Sequence, residues 1–282
     1  MITSTNIFEG IVFFYLLSSF LYFAHLAFRS KILHRIALGV VSVGWFLHSG
    51  AIILRWIESY QMGIGHVPLT NLFESMVFFS WAILLVYLSL ELKYKLKMET
   101  MGAFISPFAF LTIFIAVTSF PSEIQPLVPA LQSQWLIYHV VTCFIAYGAF
   151  AVACGSSILY LIKSPKEKNG LIPGSIMSIF PGTDFLDEIN YKVIIIGFLM
   201  LTLGIITGAA WAYYAWGRYW GWDPKETWSL ITWFIYAAIL HARFTRGWRG
   251  KRVAILSIIG FGAVLFTYLG VNMILSGLHS YA

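Results

Sequence analysis

Eight apolar runs with no Lys, Arg, Asp or Glu deep inside them set the limits on what this chain can become. They cover roughly 8–28, 36–54, 71–90, 101–120, 136–162, 192–210, 227–242 and 253–275, and a bilayer-crossing helix needs about 20 such residues. A charge at the centre of a span costs about 2.5–3.5 kcal/mol, so the clean interiors are informative. In lipid every backbone N–H and C=O must find its partner within the segment, which makes the expected class all-α: a polytopic integral membrane protein of about eight transmembrane helices. The composition agrees, with 59% hydrophobic and 11% charged residues, against about 25% charged in a soluble domain. A single membrane domain over 1–282 is predicted. Residues 1–10 lack the basic start of a cleavable signal peptide, so none is expected.

The basic residues orient the spans. Arg29, Lys31 and Arg35 follow the first run, and Lys93, Lys95 and Lys97 the third. Lys163, Lys166, Lys168 and Lys192 flank the fifth-to-sixth loop. Arg243, Arg246, Arg249, Lys251 and Arg252 lie between the seventh and eighth. Only Arg55, Arg218 and Lys225 fall on the other face. The positive-inside rule therefore predicts a cytoplasmic loop at about 163–191 and both termini on the outer side. The net charge of +6 thus belongs to membrane topology and not to nucleic-acid binding. Within the long loop, Pro165, Gly170, Pro173, Gly174, Pro181 and Gly182 break helices, and Ile176, Met177, Ile179 and Phe180 predict a short interfacial helix. Cys143 and Cys154 share one apolar run. They sit in no C-x-x-C-H pattern, so the chain is not itself a c-type cytochrome, and they read as packing residues.

The segment Trp211–Trp233 holds six of the eleven Trp. Trp211, Trp228 and Trp233 fit an aromatic belt at the membrane interface. A belt does not explain Gly217 and Gly221 between the other rings. A Trp-rich outer loop at about 209–228 instead suggests a platform for a flat ligand. Indoles stack on π-systems, glycines admit close backbone approach, and Arg218 and Lys225 are placed to receive carboxylates. Planar, apolar and acid-edged describes a porphyrin better than a quinone. Asp223-Pro224-Lys225-Glu226 has a plainer meaning as a capping box opening the seventh span, with Asp223 orienting Trp220 and Trp222.

Of seven histidines, His139 and His279 are expected on the same side as the Trp-rich loop. Both suit axial ligation of haem iron, and each alone also suits an interfacial histidine bonded to backbone or water. His241 lies 18 residues beyond Asp223, about 27 Å along a helix, and is a candidate for a separate inner site, with His25 at similar depth as a possible partner. His34, His48 and His66 read as structural.

The stretch Trp216–Glu226, WGRYWGWDPKE, resembles the "WWD" signature of haem-handling proteins. Within that group the chain is similar to the membrane subunit of the system II cytochrome c synthase, the CcsA or ResC type. Pro68–Glu74 (PLTNLFE) also looks like a family segment. The resemblance implies cytochrome c biogenesis in a bacterial cytoplasmic membrane, or in a thylakoid membrane if plastid. Haem b is the ligand and substrate. It is moved or presented to the outer face and joined through thioether bonds to the C-x-x-C-H cysteines of apocytochrome c. The resemblance further implies that His139 and His279 hold the iron and that Trp216, Trp220, Trp222 and Asp223 shape the platform. His241 would hold haem in transit with a histidine of a ResB-like membrane subunit, the two chains together forming a haem lyase. The residues alone leave three other readings: a membrane b-type cytochrome carrying electrons, a Trp-gated transporter, and a structural assembly subunit.

Overall fold

The computed structural model describes residues 3–95, 98–168, 170 and 176–275. Lys97, Pro173, Gly174 and His279, singled out above, lie outside the described residues. Eight long helices follow one another, and no strand occurs among the described residues: α1 Ser4–Phe28, α2 Lys31–Gln61, α3 Leu72–Tyr94, α4 Gly102–Ser119, α5 Gln134–Lys168, α6 Thr183–Trp216, α7 Pro224–Arg246 and α8 Lys251–Leu265. A π-helix, Phe266–Gly270, continues α8 into the short α9, Val271–Ile274. Seven helical stretches are long and apolar enough to cross a membrane. The eighth, α7, is 23 residues long but falls short in hydropathy, because Trp228, Trp233, Tyr236, Thr227, Ser229 and Thr232 replace the aliphatic residues of the other spans. The chain is a multi-pass membrane protein.

Several helices outrun their apolar runs. α2, α5 and α6 have 31, 35 and 34 residues, because polar residues extend a helix beyond the hydrocarbon at no desolvation cost. The loop expected at 163–191 shrinks accordingly to the segment between Lys168 and Thr183, where Ile176–Ile179 form a 3₁₀ turn in place of the interfacial helix. The Trp-rich stretch shortens too. Residues 209–216 contain no helix breaker and stay in α6, so the irregular loop is only 217–223. Cys143 and Cys154 are both free and buried.

The helices fall into two compact units. In unit 1, α1 packs along α2 and α4, and α3 along α4, around Phe8, Tyr15, Tyr22, Phe73 and Tyr87, each 1% exposed or less. The Pro68–Glu74 segment has a structural role there. Asn71 caps α3, accepting from the Glu74 N–H at 2.8 Å. Glu74 accepts from the Thr70 N–H and hydroxyl, both at 2.9 Å, and pairs with the buried Arg55 at 2.9 Å. Arg55 lies over the Phe73 ring at 5.1 Å. Removing one partner of such a pair strands a buried charge, at about 3–5 kcal/mol. In unit 2, α7 packs against α6 and α8, and the Phe150 and Tyr236 rings stack 3.6 Å apart at 7°.

Candidate functional site

The site in unit 2 begins where α6 ends. Gly217 adopts φ +73° and its N–H donates to the Tyr213 carbonyl at 2.8 Å, a left-handed stop that favours glycine. Seven residues later α7 starts. Asp223 caps it, accepting from the Lys225 N–H at 2.9 Å, and Glu226 reaches back to complete the capping box. One oxygen of Glu226 accepts from the N–H groups of both Gly221 and Asp223, at 2.7 and 3.2 Å. This clamp brackets Trp222 and holds it at φ +57°, a conformation that costs a bulky residue about 1–2 kcal/mol. Strain of this kind persists only where its surroundings over-determine it. Trp222 is 69% exposed, so the strain presents an indole outward. Its ring meets Trp220 edge-on at 5.7 Å.

The other indoles lie deeper. Trp211 is buried, and its N–H donates to the Ala130 carbonyl at 2.8 Å. It packs with Leu131 and Leu136, with Trp216 against the same cluster; the Trp211 and Trp216 rings are 5.0 Å apart. The His139 ring stacks on Trp211 at 5.9 Å and 20°. Trp211, whose position also fits a membrane belt by sequence alone, is thus the indole against the candidate ligand.

His139 is held from one side. Its Nδ1 lies 2.7 Å from the Gly204 carbonyl of α6, which fixes Nδ1 as the protonated nitrogen, and 3.6 Å from the Cys143 sulfur. Two glycines make this approach possible. A Cβ on Gly204 would sit 2.5 Å from Cys143 Sγ, and one on Gly208 2.6 Å from His139 Nδ1. Gly204-Ile-Ile-Thr-Gly208 is a G-x-x-x-G pattern, the device by which membrane helices approach closely. Nε2 keeps its lone pair, and no described residue hydrogen-bonds it. A histidine that donates through one ring nitrogen to a carbonyl and offers the other is the usual form of an oriented metal ligand.

The two cations differ. The Lys225 Nζ donates to Asn272 Oδ1 at 2.6 Å, joining α7 to the turn after the π-helix. Arg218 is exposed, with its guanidinium folded over Gly221, where a Cβ would sit 2.7 Å from Cζ. It makes no salt bridge among the described residues. Trp228 packs on Phe266 at 4.3 Å, and Trp233 donates to Thr202 at 2.9 Å; both are packing residues.

His241 stands apart, about 27 Å along α7 from its cap at 1.5 Å per residue. It is exposed, in a row with Ile231, Phe234, Ala238 and Thr245, all exposed. These positions step by three and four, one face of the helix. Arg243, two residues on, turns elsewhere: it pairs with Asp187 at 2.8 Å and lies over the Tyr191 ring at 4.3 Å. Among the described residues no three His, Cys, Asp or Glu side chains converge to hold a metal ion. A porphyrin-bound iron needs only axial donors from the protein, and His139 fits that demand.

Comparison with known proteins joins these features to a family. The profile described as "Cytochrome C assembly protein" matches residues 69–279, which span the Asn71 cap, His139, the Trp-rich loop and His241. "Cytochrome c biogenesis protein CcsA" of Guillardia theta is 43% identical over 80% of this chain and 79% of its own. The protein of the same name from Chlamydomonas reinhardtii is 42% identical over 90% and 69%, and that from Gloeobacter violaceus 38% over 93% and 90%. Among solved structures, a chain named "Cytochrome c Heme Lyase CcmF" superposes with a TM-score of 0.70 at 18% identity, covering 99% of this chain. This chain spans about half of that one (51%), and the likeness is one of fold. The chain belongs to the cytochrome c assembly protein family, among the CcsA-type proteins of cytochrome c biogenesis.

Proposed function

We propose that this chain binds haem b as a substrate beside the Trp-rich loop and presents it for covalent attachment to the C-x-x-C-H cysteines of an apocytochrome c. The observation that carries the reading is the His139 ring: Nδ1 is committed to the Gly204 carbonyl at 2.7 Å, which leaves Nε2 as the donor to iron. His279 is the proposed second axial ligand. Trp216 and Trp220 give the porphyrin apolar faces, the clamped Trp222 closes over its edge, and Arg218 takes a propionate. Lys225, bonded to Asn272, holds α7 in place and meets a second propionate only by exchanging that bond. Asp223 positions the loop.

Each thioether forms when a cysteine S–H adds across a vinyl C=C bond. The thiols come with the apocytochrome, so the chain needs no nucleophile of its own. What it contributes is a fixed orientation of the macrocycle, and positioning of this kind supplies much of a rate gain.

His241 supports a second, transit site. An imidazole on an exposed, otherwise apolar face of a membrane helix is costly and calls for a partner. The row Ile231–Phe234–Ala238–His241–Thr245 is suited to a helix of a ResB-like subunit that supplies the other ligand, and the two chains together form the lyase. The membrane is the bacterial cytoplasmic membrane or the thylakoid, with both chain ends and the Trp-rich loop on the outer side. The test is holocytochrome c formation in cells carrying His139→Gly. Maturation should fail and return when imidazole is added to the medium. Normal maturation without imidazole would refute ligation by His139.

A further inference from the structure

The turn that joins α7 to α8 in unit 2 gathers cations that haem handling does not use. Arg243, Arg246, Arg249, Lys251 and Arg252 fall within ten residues, and 227–282 contain no Asp or Glu. Arg243 is paired: Asp187 Oδ2 accepts from it at 2.8 Å. The other oxygen, Oδ1, accepts from the Gly250 N–H at 2.8 Å. Asp187 thus ties down both ends of the turn, one oxygen to each. Arg246, Arg249, Lys251 and Arg252 are exposed and make no salt bridge among the described residues. All 12 acids of the chain lie among those residues, so no acid of the chain pairs with them.

The backbone of the turn adds to the imbalance. α8 starts behind Gly250 with no side-chain cap and no acid in its first turn. A helix N-terminus leaves its first N–H groups without intrahelical partners and carries a partial positive charge. Lys251 and Arg252 occupy the first two positions of α8, where a cation has the unfavourable sign. Gly250 takes φ +71°, and a Cβ on it would sit 2.6 Å from the Tyr160 hydroxyl. Glycine thus lets α5 bring that hydroxyl against the turn, where it has no hydrogen-bond partner among the described residues. Four cations, a hydroxyl and open N–H groups are all donors. Their shared complement is an anion with several acceptor oxygens.

The place of the turn selects the anion. Lys251–Ile274 is apolar enough to cross a membrane, so its first turn lies at the headgroup layer of the bilayer. Trp248 is half-buried there, with Arg252 over its ring at 5.4 Å, and the headgroup level is where indoles settle. Phe244, in the last turn of α7, is 68% exposed and offers apolar surface to an acyl chain. At that depth the abundant anion is the phosphodiester of a phospholipid, and clusters of four or more Lys and Arg beside a membrane helix bind anionic headgroups. The α1–α2 turn of unit 1 is the contrast. It holds only Arg29, Lys31 and Arg35, and Ser30 caps α2 by accepting from the Leu33 N–H.

We propose that the α7–α8 turn binds the headgroup phosphate of an anionic phospholipid through Arg246, Arg249, Lys251, Arg252 and the Tyr160 hydroxyl. The full chain is reconstituted in vesicles of phosphatidylcholine with a minority of phosphatidylglycerol, then released into mild detergent for native mass spectrometry, which counts the lipids retained. The wild type should keep one phosphatidylglycerol per chain in preference to phosphatidylcholine. A cation beside an anionic leaflet is worth about a fivefold change in binding, so Arg249→Gln combined with Arg252→Gln should lower retention roughly 25-fold. Tyr160→Phe removes one donor, keeps the ring and its packing, and should lower retention several-fold; it reports on the site even where the double variant does not fold. Lys31→Gln combined with Arg35→Gln removes as many charges at the α1–α2 turn and should leave retention unchanged. Equal loss in the two double variants would mean diffuse surface charge and overturn the proposal. So would phosphatidylcholine retained as well as phosphatidylglycerol, full retention by Tyr160→Phe or by the Arg249 and Arg252 variant, or displacement of the lipid by inorganic phosphate, which would make this a site for a soluble anion.

Discussion

His139 and His241 sit on helices of the same unit, and their surroundings are opposite. His139 is pressed against α6 at a pair of glycines, with Nδ1 bonded to Gly204 and its ring stacked on Trp211. His241 stands on the open face of α7; its carbonyl accepts from the Thr245 hydroxyl at 2.7 Å, while its imidazole makes no hydrogen bond among the described residues. The first ring is oriented before any ligand arrives. The second acquires an orientation only from something that covers it. A site that must hold haem during chemistry needs the first kind of histidine, and a site that passes haem on between subunits can use the second.

The comparison breaks if His241 behaves like His139 when the chain is alone. With a ResB-like partner co-expressed, His241→Gly should lower the haem affinity of the inner site by at least the roughly 10–100-fold that losing an outer-shell partner costs a metal site. Without the partner, wild type and variant should retain the same amount. Haem content of the purified chain, by absorption, checks both arms.

A smaller effect sharpens the role of the wedge. Gly208→Val places a side chain where His139 Nδ1 now sits, so the ring must turn and lose the Gly204 carbonyl. Overpacking of this kind costs about 1–3 kcal/mol of stability, and haem affinity at the outer site should fall roughly 10–100-fold. Haem held at His241 by a partner should be unchanged. Equal loss at both sites would mean that the wedge acts only through general stability.

The smallest effect touches neither histidine. Trp222→Gly relieves the left-handed strain and should stabilise the chain by about 1 kcal/mol, measured by thermal unfolding, while slowing holocytochrome formation. A destabilised variant would show that the Glu226 clamp imposes no strain.

Much of the frame was legible in the sequence. Each apolar run became a helix, because lipid leaves the backbone no other way to satisfy itself. The capping box at Asp223 was readable because its chemistry is local, four consecutive residues. Helix ends were not, since polar extensions such as those of α5 and α6 carry no hydropathy signal. The role of Trp211 was hidden for a different reason. An indole in a belt and an indole under a histidine have the same spacing, and only the 130s segment, far away in sequence, separates them. The wedge had a visible signal in Gly204-Ile-Ile-Thr-Gly208, which sequence reading passed over.

Coordination of iron by His139 Nε2 is tested most directly by exchanging the ligand atom. His139→Cys, purified with haem bound at the outer site, replaces an imidazole with a sulfur donor. An absorption and resonance Raman spectrum of thiolate-ligated haem is the predicted result. A spectrum identical to the wild type, with imidazole ligation intact, would contradict it.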